Sequence, residues 1–337
     1  MTDSETLQAY QIDPIIRKQR EKIDTYLKQH YGKTAYNHTN WSDVQKSSTM
    51  IQYRKRLMER LFEEVVPKLV SETRYGFSLN KMEYLVRVKE NFKQEAANAY
   101  WIFKKLVELR NWDYRSFLHV VDVYLFTHLY IRHNETAVKN PQAIATAALL
   151  INLGRLHIPK HVLQKHDLTK EERDILNHHA LWSIELAKGN VTNDVANLLY
   201  LHYQQLHRIP QTDQAEEQRL AAKMITFIDQ FSEMTLVGSN HQQYKAHQAL
   251  EVLVTQKAYD KETYEIGNRF MQLLHIYPEN CLVTLTNGVQ ATVQKVYPQI
   301  PYLPCIKELA NENTYMLPTD LSTKIKTGTW GQGTCPS

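Results

Sequence analysis

The sequence predicts a mainly α-helical chain: a helical bundle, preceded by an N-terminal helical module and followed by a small β-rich appendix. Three observations predict it. Only 10 of the 337 residues are glycine, about 3% against roughly 7% in average usage, a deficit that disfavours tight turns. Apolar residues recur at helical spacing through most of residues 97–274. After Pro278 the pattern changes to alternation on either side of Asn287-Gly288, a strong hairpin signal.

Taken in order, residues 1–90 are rich in Tyr and Lys and poor in turn signals. Leu57, Leu61, Phe62 and Val65 share a helical face, and Pro67 bends or ends that helix. Gly76 and Ser78-Leu79-Asn80 make a break before a helix expected over 81–108. Leu118–Tyr130 reads as an amphipathic helix, and Asn140-Pro141 opens another over 142–153. Thr169-Lys170-Glu171-Glu172 is a capping-box sequence. Residues 191–206 and 216–234 read as two further helices. The domains are therefore 1–90 (helical module), 91–275 (helical domain) and 276–330 (β-rich appendix).

Composition excludes several classes. The net charge is +4, and no run of five or six basic residues gives electrostatic support for nucleic-acid binding. The three cysteines, Cys281, Cys305 and Cys335, are too few and too scattered for a disulfide framework or a CxxC metal site. They fit a reducing cytoplasm. The polar start, MTDSETLQAYQ, is not expected to be a signal peptide. The longest apolar run, Ala143–Ile151, is far too short to span a bilayer.

Twelve of the fifteen histidines lie between His119 and His247. One at a time, each is a commonplace helix-surface residue, so the order of motifs carries the argument. Residues 147–159 read AALLINLGRLHIP. This resembles the core motif of the bacterial HD-GYP family, AALLHDIGKIGIP, with the His-Asp pair replaced by Ile151 and Asn152. The resemblance extends over about residues 97–275. It implies an HD-domain-like helical bundle that hydrolyses cyclic di-GMP with two or three metal ions held by facing helices.

Carried over residue by residue, the implied metal ligands are His119 in FLHVVDVYLF, His179 in LNHHALWSIEL, His202 in YLHYQQLHR, and Asp229 in KMITFIDQFSEMT. Asp122, one turn from His119, is a candidate to orient it. Arg155 stands where the family has a Lys thought to contact substrate phosphate. It keeps the charge and could bind an anion or form a salt bridge.

Departures are several. Ile151 cannot ligate a metal, and Asn152 offers only a neutral carbonyl oxygen. The family's second His of a His-His pair is Tyr203, and an Asp is Ser232. The loop Gln204–Pro210 is shorter and lacks the family's glycines, which predicts a different shape. The literal pair His166-Asp167 falls in a loop and reads as turn chemistry.

Three readings remain. The first is a non-catalytic, pseudoenzyme-like signalling protein that senses a cyclic di-GMP-type nucleotide or engages a protein partner. The second is a phosphodiesterase or phosphohydrolase with one remodelled metal (Fe, Mn or Zn) on His119, His179, His202 and Asp229. The third is a structural scaffold acting only through protein partners. The expected partners are a cyclic dinucleotide and a signalling protein, with neither nucleic acid nor a membrane span; a homodimer is compatible with all three readings.

Overall fold

The computed structural model describes residues 55–64 and 82–328, each with short interruptions. Most of the expected N-terminal module therefore lies outside the described residues, as do His166, Pro210 and Cys335. The described helices are α1 (Met82–Asn98), α2 (Tyr100–Trp112), α3 (Tyr114–His133), α4 (Pro141–Leu150), α5 (Lys160–Leu163), α6 (Lys170–Asn177), α7 (His179–Ala187), α8 (Asn193–Leu206), α9 (Glu216–Thr235), α10 (Ala246–Gln256) and α11 (Lys261–Leu274). A 3₁₀ turn at Leu153–His157 separates α4 from α5. Five strands follow: β1 (Leu282–Leu285), β2 (Gln290–Lys295), β3 (Cys305–Glu308), β4 (Thr314–Met316) and β5 (Ile325–Gly328). The mainly helical fold with a small C-terminal β-rich part is thus the one the sequence predicts. The helix expected over 81–108 is two helices, α1 and α2. Among the described residues, no helix is long and apolar enough to cross a membrane.

Helix α3 is the axis of the bundle. Asp113 starts it by accepting from the Ser116 amide at 2.9 Å and the Ser116 hydroxyl at 2.6 Å. Its 20 residues span about 30 Å at 1.5 Å per residue. The amphipathic helix expected here is instead buried nearly all round, from Ser116 to Ile131 except at Leu118 and His128. A helix packed by α2, α4, α9 and α11 has no solvent face to keep polar.

The local signals resolve as chemistry predicts. Asn140, in the left-handed region at φ 51°, accepts from the Ala143 amide and opens α4 at Pro141. Both halves of the Thr169–Glu172 capping box form, at 3.2 and 2.8 Å. Gly288 takes φ 85° in the hairpin between β1 and β2. All strand pairs are antiparallel, in the order β4-β3-β2-β1-β5. Val283, Leu285, Ala291, Val293 and Ile306 are fully buried and join the helical core.

Helix α8 closes in a Schellman motif, with the Ile209 amide on Gln204 O at 2.9 Å and the Arg208 amide on Gln205 O at 3.3 Å. Its left-handed position, φ 54°, is held by Arg208. The missing glycines have not removed the left-handed turn; a non-glycine residue bears it. Arg208→Gly is therefore expected to stabilise the fold by up to ~1 kcal/mol, because glycine adopts that φ without a Cβ penalty. Chemical denaturation reads the difference, and a loss of stability would contradict it.

Candidate functional site

The residues that convey chemistry meet where the α4–3₁₀ turn faces α3, α7, α8 and α9. The close approach of that turn depends on Gly154. A Cβ at this position would lie 1.8 Å from the carbonyl oxygen of His179 at the start of α7. Ser183 bolts the two segments together: it accepts from the Gly154 amide and donates to Ile151 O, both at 2.8 Å. Ile151 itself is fully buried in the core.

Asn152 is likewise fully buried. Its Nδ2 donates to Asp229 Oδ1 at 2.7 Å. The same oxygen lies 2.9 Å from His119 Nε2. His119 Nδ1 lies 2.9 Å from Ser232 Oγ, which in turn donates to Asp122 Oδ2 at 2.5 Å. Since the Ser232 hydroxyl proton goes to Asp122, its oxygen accepts from His119. The result is a continuous chain: Asp122, Ser232, His119, Asp229, Asn152. Asp122 reaches His119 through Ser232 and not directly. Ser232 is thus the link between Asp122 and His119.

His179 and His202 face Asp229 closely enough for its charge to act on both rings. His179 Nδ1 donates to Leu176 O at 2.7 Å. His202 Nδ1 lies 2.9 Å from Thr226 Oγ1, whose proton goes to Ala222 O at 2.8 Å, so the imidazole is the donor. Both tautomers are thereby fixed, leaving bare lone pairs on Nε2. Each Nε2, with Asn152 Oδ1, is buried without a hydrogen-bond partner.

Electrostatics sort the charges. Burial alone would push the Asp229 carboxyl up, but its contact with His119 holds it well below the usual range. Arg155 is not on the surface. Its Nη2 lies 2.9 Å from Glu233 Oε2, while Arg115 Nη2 lies 3.0 Å from Glu233 Oε1. Burial opposes the Glu233 charge, and the two guanidinium groups overcome it, keeping Glu233 well below the usual range. The candidate anion-binding arginine is therefore partnered by a carboxylate of its own chain.

His178 points away from His179. Its Nδ1 contacts Asp174 O at 2.6 Å, and its ring packs 4.7 Å from that of His207, which lies 4.4 Å from the buried Tyr203. Tyr203 is thus an aromatic packing residue. Asp167 is exposed in a bend. Glu233 and Arg115 escaped the sequence reading. The available signal was spacing: Glu233 is one turn past Asp229, and Arg115 one turn before His119.

These residues do not fit a dinuclear centre. Among the described residues, no group of three or more His, Cys, Asp or Glu side chains is placed to hold a metal ion. The nitrogen of His119 and the carboxylate of Asp229 that would serve as ligands are bonded to each other, and an amide N–H occupies the other side of Asp229 Oδ1.

A pH dependence follows. Burial lowers the His128, His179 and His207 pKa values to about 4, about 3 and about 4. The unfolded chain takes up these protons near pH 6.5, so folding stability is expected to fall below that pH. The slope is about 1.4 kcal/mol per pH unit for each such histidine until its folded pKa is reached. Asp229 and Glu233, with depressed pKa values, add stability that is lost below about pH 4. Urea denaturation at pH 7, 6 and 5 checks this; a flat profile would contradict neutral burial of these rings.

Residues 124–263 match the family model described as HD domain. The matched stretch begins five residues past His119 and contains Ile151, Asn152, His179, His202 and Asp229. It supports kinship with the HD-domain phosphohydrolase superfamily, a family of metal-dependent phosphohydrolase type. Neither a curated protein nor a solved structure matches the chain.

Proposed function

From that kinship we propose that the chain is a non-catalytic, HD-GYP-like signalling protein. It works by binding a protein partner or a nucleotide of the cyclic di-GMP type. One observation carries the proposal: Asn152 places an N–H, 2.7 Å from Asp229, where the family's bridging carboxylate would face a metal ion. A second carboxylate there would need a cation or a shared proton between the two. An amide needs neither, and with His119 it satisfies Asp229 by hydrogen bonds from within the chain. Without a metal-activated water, the strongest source of hydroxide at neutral pH in this family is missing.

Metal analysis of the purified protein with a cyclic di-GMP hydrolysis assay tests the proposal. The expected result is neither stoichiometric metal nor turnover. Stoichiometric metal together with turnover abolished by Asp229→Ala would overturn it. Titration calorimetry with cyclic di-GMP then separates the two binding partners. The pairing of Arg155 with Glu233 favours the protein partner, and tight nucleotide binding lost in Arg155→Ala would favour the nucleotide.

A second reading, a mononuclear phosphohydrolase, has one observation in its favour. The bare Nε2 atoms of His179 and His202 are suited to a transition metal. On this reading Fe, Mn or Zn would displace the His119–Asp229 hydrogen bond, and the metal analysis above decides it.

A further inference from the structure

One contact at the mouth of the centre has the chemistry of a bound ligand. Two guanidinium groups from separate elements, Arg155 of the 3₁₀ turn and Arg115 of α3, converge on the carboxylate of Glu233 in the last turn of α9. Each takes one oxygen: Arg155 Nη2 donates to Oε2 at 2.9 Å, and Arg115 Nη2 to Oε1 at 3.0 Å. His119 Nε2 lies 3.6 Å from the same Oε2. The Arg155 side chain is 6% exposed and that of Glu233 27%, so the arginine forms the floor and the glutamate the solvent side.

The arginines have donors that Glu233 does not use. Among the described residues, the Nε atom of each is buried without a hydrogen-bond partner. In a guanidinium fork Nε and Nη2 lie along one edge, so both unused N–H groups point to the side on which Glu233 is bound. Such an edge pairs bidentately with an oxyanion, whereas the carboxylate, divided between two arginines, gives each edge one oxygen. A phosphodiester carries the same single charge and two equivalent non-bridging oxygens, with ester oxygens as further acceptors. Charge selects it over free phosphate. Asp229 and Asp113 also act on Arg155. They oppose the second negative charge that phosphomonoesters and free phosphate carry in good part at pH 7.

We propose that Glu233 is an internal stand-in for a phosphodiester group: its carboxylate fills an oxyanion seat made by Arg155 and Arg115 and closes it to anions from solution. The folded chain takes up such a group only in competition with Glu233. This role rests on the reading above only in placing a nucleotide-type ligand at this centre. Metal content and turnover, which test that reading, play no part in testing this role, so either can fail alone.

Titration of the full chain and of its Glu233→Ala variant with dimethyl phosphate and, in parallel, inorganic phosphate, at constant ionic strength, tests this. Calorimetry reads affinity, and the melting temperature in each anion against chloride reads stabilisation. Without Glu233 a buried guanidinium is left unpaired, so the variant is expected to melt below the wild type in chloride and to recover in dimethyl phosphate. A purely structural ion pair would leave the loss the same in both anions. Two charge-assisted forks give the variant an expected dissociation constant on the order of 1 mM, and the wild type should bind at least about tenfold more weakly. Arg115→Ala, added to the variant, removes one fork and should weaken binding roughly tenfold. Should Glu233→Ala not fold, Glu233→Gln keeps the length of the side chain without its charge and is read in the same way. Equal binding by wild type and variant, no binding by the variant, affinity indifferent to Arg115→Ala, or inorganic phosphate bound as tightly as the diester would each overturn the proposal.

Discussion

Replacing Asn152 by Asp is expected to cost about 4 kcal/mol of folding stability at pH 7, and most of that cost is expected to vanish near pH 4.5. The substitution changes almost no volume. It exchanges an N–H that donates to Asp229 Oδ1 at 2.7 Å for a second carboxylate oxygen at the same place. Two buried carboxylates at that separation cannot both stay ionised, so they would share one proton, as in aspartic-protease dyads. Asp229 is held ionised by His119, so the new Asp is the group that must stay protonated. Keeping a group of ordinary pKa ~3.9 protonated at pH 7 costs about 1.4 kcal/mol for each of some three units. Near pH 4.5 the same requirement costs less than about 1 kcal/mol. Paired urea denaturation of the two proteins at both pH values reads this directly. A penalty that does not change with pH, or no penalty, would show that Asn152 and Asp229 are not bonded as described. The variant also restores a carboxylate facing Asp229, so rescue of its stability at pH 7 by added Mn²⁺ or Zn²⁺ would show how little separates this centre from a metal site.

Gly154→Ala is expected to cost about 3 kcal/mol or more, at the upper end of what overpacking a tight interior produces. The added methyl would sit 1.8 Å from His179 O and the Ala Cβ 2.7 Å from the Ser183 amide. Both obstacles are backbone, and neither can rotate away. Relief requires parting the 3₁₀ turn from α7, which breaks the Ser183 contacts to Gly154 and Ile151 and displaces His179. At ~2–4 °C per kcal/mol for a domain of this size, the melting temperature should fall by roughly 6–12 °C. Gly154 does not have a left-handed φ, whereas Gly189 does, at 76°, with open space around it. Gly189→Ala is thus a control for backbone strain alone, expected to cost about 1 kcal/mol. If the two variants melt together, close approach is not what Gly154 provides.

Much of the fold was legible because its signals are local. The Asn140-Pro141 helix start, the Thr169–Glu172 capping box and the Asn287-Gly288 hairpin each need only a few neighbouring residues, and each forms as read. The all-round burial of α3 was not legible, because it depends on which helices pack around it. The start of α4 was read well and its end poorly. The helix stops at Leu150, since the chain must turn inward at Ile151–Asn152 for Gly154 to meet α7.

By itself the sequence determined the helical class, the β-rich end, and the set of polar residues gathered at the centre: His119, Asn152, Arg155, His179, His202 and Asp229. It also determined that Ile151 cannot ligate a metal ion and that Asn152 offers only a neutral carbonyl oxygen, since that follows from side-chain chemistry alone. Only the tertiary structure decided what those residues do with one another. It bonded Asn152 and His119 to Asp229, made Ser232 the link to Asp122, fixed the tautomers of His179 and His202, and gave Arg155 to Glu233. The physical reason is separation along the chain. Most of these partners lie 77 to 113 residues apart, and hydrogen bonds of under 3 Å in a buried centre depend on helix packing that no local pattern encodes.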